Sequence, residues 1–139
     1  MSEPAPRFWE ILFELFEALP RQGPGDRACA ARALGLCREL PRVPAVLDLG
    51  CGVGAQTLHL AELTAGSIVA IDRHTPCIER LARVVAERDL ARRVWPLVGD
   101  MARPGLRPGS FDRVGSAGAR YNNGIERPRG VCRPLRRPG

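Results

Sequence analysis

The sequence predicts an α/β fold: a three-layer sandwich with an incomplete parallel sheet, preceded by helices. Two observations carry this prediction. From residue 45 onward, short apolar runs alternate with longer stretches of helical composition, which is the pattern of βαβ units. The first apolar run also leads directly into a turn that contains Gly50, Gly52 and Gly54. A chain of 139 residues has room for one such domain.

Residues 1–42 form a predicted N-terminal helical segment. Apolar residues recur three and four positions apart between Arg7 and Leu19, which indicates an amphipathic helix. Asp26 is a typical N-cap, and the composition after it predicts a second helix that runs to about Leu40. Residues 43–139 are then assigned to the sheet domain.

Four strands and two connecting helices are predicted within the sheet domain. The strands cover residues 45–49, 68–71, 94–98 and 111–116, and the helices cover residues 56–63 and 77–90. Thr75 followed by Pro76 predicts the N-cap and the first turn of the second connecting helix.

The last segment fits the α/β pattern least well. A helix that begins near Ile125 would contain Pro128 and Gly130, which cost about 3 and about 1 kcal/mol in a helix interior. No strand is predicted after the fourth one. We therefore expect the fourth strand to have a bare edge, through which copies of the chain associate.

Charge and cysteine content narrow the classes of function. The net charge is +6, all 21 basic residues are arginines, and their excess lies late in the chain. A solvated or unfolded basic tail gives the same numbers as a nucleic-acid surface, so we do not expect a nucleic-acid partner. The five cysteines lack CxxC spacing, which argues against a disulfide framework and against a metal site. Glutamates among the N-terminal apolar residues argue against a membrane span, so we expect a cytoplasmic protein.

The ends of the first two predicted strands carry groups suited to a nucleotide. Glycines at Gly50 and Gly52 let a ligand approach the backbone closely. The helix that starts near Ala55 presents its N–H groups and the positive end of its dipole to the same place. Asp72 ends the second strand, where a carboxylate is placed to accept both hydroxyls of a ribose.

The end of the third strand adds a second acid. Asp100 is placed to accept a hydrogen bond from the exocyclic amine of an adenine, with Met101 beside it. A glycine loop and two acids at three neighbouring strand ends together predict an adenosine site.

These motifs resemble those of class I S-adenosylmethionine-dependent methyltransferases. The segment AVLDLGCGVGAQTLHLA at residues 45–61 resembles motif I, and VAIDR around Asp72 resembles the acidic second motif. LVGDM around Asp100 resembles the third motif, and SFDRVGSAGARYNNG resembles the fourth strand and its exit. The segment LPRQGPGD is similar to the lead-in of a bacterial branch that acts on small molecules. The resemblance implies a Rossmann-like fold with an incomplete parallel sheet of strand order 3-2-1-4, S-adenosylmethionine as the cofactor and a small-molecule acceptor.

The resemblance also implies roles for the motif residues. It places Gly50 and Gly52 against the methionine part of the cofactor, and Asp48 at the loop and the cofactor's amino group. It places Ser116 where the fourth strand opens toward the methyl group. The implied cofactor site comprises Asp48, Gly50, Cys51, Gly52, Gln56, Asp72, Arg73, Asp100, Met101 and Ser116. No catalytic residue is named, because proximity and in-line orientation supply much of the rate of such a transfer. The N-terminal helices resemble the family's lid over cofactor and substrate.

Two features depart from the family pattern. The branch tends to carry an acid directly after the fourth-strand serine, and this chain has Ala117 there. The chain also stops at residues 137–139, which resemble the turn before the family's fifth strand. We therefore expect a domain truncated before that strand, with impaired activity.

Two other functions stay open on the sequence. A nicotinamide- or flavin-binding protein is the first, because Gly50, Gly52 and Ala55 also satisfy G-x-G-x-x-G/A. Asp48 and the closer spacing to Gly54 argue against it. The second is a non-catalytic remnant that binds cofactor weakly or not at all.

Overall fold

The computed structural model describes residues 6–19, 25–116 and 127–138. Its centre is a parallel sheet of four strands in the order β3-β2-β1-β4, as the sequence predicts. The strands are β1 (Ala45–Leu49), β2 (Ser67–Asp72), β3 (Val94–Val98) and β4 (Arg113–Gly115). Leu49 pairs with Ile71 in register, and Asp72 pairs with Val98. The carboxyl ends of the strands therefore share one edge of the sheet.

Five helices accompany the sheet in the described part of the chain. They are α1 (Pro6–Glu17), α2 (Arg27–Gly35), α3 (Ala55–Leu63), α4 (Thr75–Glu87) and α5 (Arg127–Leu135). The sequence anticipated α1 to α4 with small shifts of their bounds. None of the described helices is long and apolar enough to cross a membrane.

The two faces of the sheet carry separate apolar layers. On one face, Val46 and Ile68 pack with α3 and α4 through side chains such as Leu60 and Leu81. On the other face, Leu47, Leu49 and Ile71 pack with Phe111 and with Leu135 of α5. Strands buried on both faces read as continuous apolar runs, which explains the composition of β1 and β2.

Two helix boundaries differ from the prediction. The helix α2 ends at Gly35, short of Leu40, and Glu39 beyond it has a positive φ of 65°. Glycine lowers helix propensity by about 1 kcal/mol, which favours an end there. His74, not Thr75, is the N-cap of α4, and Thr75 lies within the first turn together with Pro76. The predicted cap at Asp26 is confirmed, since its side chain accepts the Cys29 N–H at 2.9 Å.

The segment around β4 and α5 also differs from the prediction. The regular strand is shorter than residues 111–116, but Phe111 forms a parallel bridge with Arg136. This bridge covers the beginning of the strand edge that was expected to be bare. Pro128 lies in the first turn of α5, where no intrahelical bond from its nitrogen is needed, so it does not prevent the helix. Ile125, where a helix start was predicted, lies outside the described residues, as does Ala117.

Candidate cofactor site

The glycine loop after β1 takes a conformation that L side chains rarely adopt. Gly50, Gly52 and Gly54 have φ values of 68°, 56° and 86°. The N–H groups of Gly50 and Cys51 both donate to the Ile71 carbonyl, at 2.7 and 3.0 Å. The loop is thus folded back over the end of β2, where Gly50 is half-buried and Gly52 and Gly54 are buried.

Asp72 joins the end of β2 to the glycine loop. One carboxylate oxygen accepts the Gly52 N–H at 2.9 Å, and the other accepts the His74 N–H at 2.9 Å. The second bond turns the chain into α4. Each carboxylate oxygen has two lone pairs, so a half-buried Asp72 keeps acceptor capacity for the hydroxyls of a ligand.

Asp48 lies beneath the loop. Its side chain is 2% exposed and accepts a hydrogen bond from the Thr57 hydroxyl at 2.7 Å. Thr57 is fully buried in α3. This bond fixes the strand to the helix on either side of the loop, so the structure gives Asp48 a role in holding the loop. The contact of Asp48 with a cofactor amino group stays a prediction.

Gly54 has a packing role that the motif did not reveal. A β-carbon at this position would overlap the Leu81 side chain of α4. Gly54 is also the N-cap of α3, and its carbonyl accepts the Leu58 N–H at 2.9 Å. This glycine therefore lets α3 start close against α4, whereas Gly50 and Gly52 shape the loop itself.

The neighbouring motif residues differ in exposure. Burial, reinforced by the Asp48 and Asp72 carboxylates, raises the pKa of the Cys51 thiol far above its usual range. Cys51 is therefore a neutral, apolar-like contact in the loop. Gln56 is half-buried in the first turn of α3, and Arg73 is exposed immediately after Asp72.

The ends of β3 and β4 complete the edge. Asp100 is exposed, and one of its oxygens accepts the Ala102 N–H at 2.8 Å, which leaves the other oxygen for a ligand. Met101 packs against the apolar layer that contains Leu135. The Ser116 Oγ is buried without a hydrogen-bond partner among the described residues. A buried unpaired hydroxyl at a strand end is a candidate ligand contact.

The structure thus brings the predicted residues to one edge of the sheet, with two differences in depth. Asp48 lies below the loop, and Met101 lies partly within the core on the α5 side. Sequence reasoning missed Thr57, which hydrogen-bonds Asp48, and His74, which is the N-cap of α4. The available signal for Thr57 was a β-branched polar residue within a helix, where such residues are disfavoured unless they bond.

The comparisons with known proteins bear directly on this site. A family model described as a methyltransferase domain matches residues 46–137. The chain belongs to this methyltransferase family. The match includes both the glycine loop and the acids at the ends of β2 and β3, so it decides against the dinucleotide-binding alternative.

Three individual proteins are similar to the chain in sequence or in fold. Over 69 residues the chain is 30% identical to the sterol 24-C-methyltransferase of Aspergillus fumigatus. This match covers 50% of this chain and 18% of that enzyme. The structure of phosphoethanolamine N-methyltransferase 2 of Haemonchus contortus, solved with S-adenosylmethionine, has a TM-score of 0.75 at 20% identity. It covers 93% of this chain and 30% of the nematode protein. The structure of YjhP of Escherichia coli has a TM-score of 0.76 at 20% identity, and the match covers 92% of this chain and 52% of YjhP.

This methyltransferase-family chain spans between 18% and 52% of the length of these three proteins. Membership of this methyltransferase family supports S-adenosylmethionine as the cofactor. The donor set here fits that molecule. Carboxylate acceptors lie at the ends of β2 and β3, and the glycine loop follows the neighbouring strand β1. The buried Ser116 hydroxyl, which has no hydrogen-bond partner among the described residues, follows β4.

Proposed function

We propose that this chain binds S-adenosylmethionine at the carboxyl edge of its sheet and supports methyl transfer to a small-molecule acceptor in the cytoplasm. The observation that carries the proposal is the bond between Gly52 and Asp72. It holds the glycine loop and the ribose-binding carboxylate as one unit at the edge where ligands of parallel sheets bind.

Each end of the cofactor has residues suited to it. Asp72 is half-buried and would accept the ribose hydroxyls, while Asp100 would accept the adenine amine with its free oxygen. Gly50 and Gly52 would lie against the methionine part. Cys51, Gln56 and Arg73 adjoin these contacts.

The chemistry requires orientation more than acid or base catalysis. When bound, S-adenosylmethionine supplies an electrophilic methyl group on a sulfonium. The residues of this chain would hold the nucleoside and amino-acid ends so that the methyl group faces the opening beside Ser116. Its buried hydroxyl, which has no hydrogen-bond partner in the described part of the chain, would hydrogen-bond either the cofactor or an acceptor. Fixing such geometry contributes several kcal/mol to a transfer, on the order of 7–11 kcal/mol in the best cases.

Calorimetric titration with S-adenosylhomocysteine tests the proposal. In Asp100→Asn, the remaining oxygen can still accept the Ala102 N–H. The amide NH2 group, a donor, replaces the oxygen that would accept the hydrogen bond from the adenine amine. We expect this variant to bind about tenfold more weakly, in line with the ~1.5 kcal/mol of one hydrogen bond to a charged group. Asp89→Asn is the matched control: the same charge change at an exposed turn after α4, at a positive φ of 56° that asparagine tolerates.

The rival ligand NAD separates the alternatives. Binding of S-adenosylhomocysteine that is weakened only in Asp100→Asn, without binding of NAD, supports the proposal. A folded chain that binds neither compound would contradict it and identify a remnant whose motifs record ancestry alone. Preferential NAD binding would contradict the assignment of the ligand.

A further inference from the structure

The basic residues of this chain are segregated along the sequence. Residues 101–139 contain nine arginines and two acids, a net charge of +7. Residues 1–100 contain twelve arginines and thirteen acids, a net charge of −1. The entire excess of positive charge therefore belongs to the segment that follows β3. An even bias toward arginine would not produce this distribution.

The fold gathers part of that charge on one surface. The Gly109 N–H donates to the Pro134 carbonyl at 2.9 Å, and the Phe111 N–H donates to the Leu135 carbonyl at 3.1 Å. These bonds bring Arg107, two residues before Gly109, beside the end of α5. We call the resulting surface the basic face; its members, all exposed, are Arg107, Arg133, Arg136 and Arg137.

Little negative charge offsets the basic face. Asp112 is the one acid in the described residues from 101 onward, and it bonds Arg137 at 2.8 Å and the Ala45 N–H at 2.7 Å. No described carboxylate forms an ion pair with the other three arginines. Three guanidinium groups thus remain available to an external anion.

The basic face is separate from the candidate cofactor site. Arg136 pairs with Phe111, which precedes β4, and Asp112 bonds Ala45 at the start of β1. These contacts place the face at the amino edge of the sheet. The glycine loop, Asp72 and Asp100 lie at the opposite edge.

We propose that the basic face binds the phosphate backbone of a nucleic-acid duplex, independently of base sequence. Guanidinium groups form bidentate bonds to phosphate oxygens. The large exposed hydrophobic side chains of the described residues lie on α1, before β1 and on β3, not on this face. The face therefore offers neither the apolar side chains that insert into a bilayer nor the aromatic rings on which single-stranded bases stack. Residues 127–135 form α5, so the arginines of this helix do not belong to an unfolded tail.

Fluorescence anisotropy tests this proposal over a range of salt concentrations. The probes are a labelled 20-base-pair DNA duplex and an RNA duplex of the same sequence. The logarithm of the binding constant falls by about 0.9 per contacted phosphate for each unit of log salt. We expect Arg133→Gln/Arg136→Gln to weaken binding about tenfold at 50 mM salt and to reduce the slope by about 2. Arg32→Gln/Arg83→Gln, two exposed arginines on α2 and α4, is the control of equal charge and should change neither quantity.

Circular dichroism should show both double variants folded, and S-adenosylhomocysteine binding should be the same in both. Binding to either duplex that is weakened only in Arg133→Gln/Arg136→Gln supports the proposal. Equal weakening by the two double variants would overturn the proposal, because it would indicate an effect of net charge alone. Absence of duplex binding at 50 mM salt would overturn it too, as would binding to phosphatidylserine vesicles without binding to either duplex.

Discussion

The Asp72 carboxylate accepts the Gly52 N–H at 2.9 Å, so the acid predicted for ribose recognition also stabilises the glycine loop. Its other oxygen accepts the His74 N–H and starts α4. The two roles are compatible, because bonds to backbone donors fix the direction of the carboxylate while lone pairs remain for a ligand.

Asp72→Asn is expected to reduce both stability and cofactor binding. The amide has one acceptor oxygen, so one of the two backbone N–H groups loses its partner. We expect a loss of about 1–3 kcal/mol in the free energy of unfolding, measured by urea denaturation. Asp100→Asn should weaken S-adenosylhomocysteine binding with little change in stability. Equal free energies of unfolding for wild type and Asp72→Asn would contradict the role of Asp72 in stabilising the glycine loop.

Gly54→Ala is expected to destabilise the chain more than Gly105→Ala. Both glycines have a positive φ, 86° and 65°, so both substitutions add backbone strain of about 1–2 kcal/mol. Only at Gly54 would the new methyl group overlap Leu81, whereas nothing lies within 4 Å at Gly105. Overpacking adds a further cost of about 1–3 kcal/mol. Thermal unfolding of the two variants measures the difference, and equal melting temperatures would show that α3 and α4 separate freely.

The sequence was sufficient to predict the parallel sheet and the edge that carries the site, and the family resemblance added the strand order. Periodicity distinguishes strands from helices, and the handedness of βαβ units places the carboxyl ends of the strands along one edge. The bonds that bind the loop together were not predictable in the same way. The Asp48–Thr57 bond depends on the rotation of α3 over β1, and the overlap at Gly54 depends on how closely α4 approaches.

The region after β4 shows why local propensity fails at element ends. Gly130 and Pro134 lie inside α5 and would weaken an isolated helix, yet α5 forms with Leu135 5% exposed in the apolar layer with Phe111. Tertiary burial of such a side chain contributes about 1.5–3 kcal/mol, which offsets the cost of about 1 kcal/mol for the glycine and part of the cost of about 3 kcal/mol for an interior proline. Propensity alone could not weigh that contact.

Thr57→Val should be strongly destabilising, and Thr57→Ser should be mild. Valine has nearly the shape of threonine but removes the hydroxyl that donates to Asp48 at 2.7 Å, within a fully buried environment. A hydrogen bond to a buried charged group is worth about 1.5–3 kcal/mol. Serine keeps the donor and loses one methyl group. Urea denaturation distinguishes the two, and a larger loss for serine would mean that packing, and not the bond, fixes α3.

The Cys51 thiol should react slowly with iodoacetamide in the folded chain. Burial and the nearby Asp48 and Asp72 carboxylates raise its pKa, so little of the reactive thiolate exists at pH 8.5. Cys29 is exposed and serves as the internal control. Mass spectrometry of digests taken over time should show Cys29 alkylated well before Cys51, with the difference lost in 8 M urea. Alkylation of Cys51 at the rate of Cys29 in the native chain would show that the glycine loop opens readily.

The raised pKa of Cys51 also predicts the pH dependence of stability. The thiol ionises at a lower pH in the unfolded chain than in the folded chain, so the free energy of unfolding should fall as the pH rises above the usual thiol pKa.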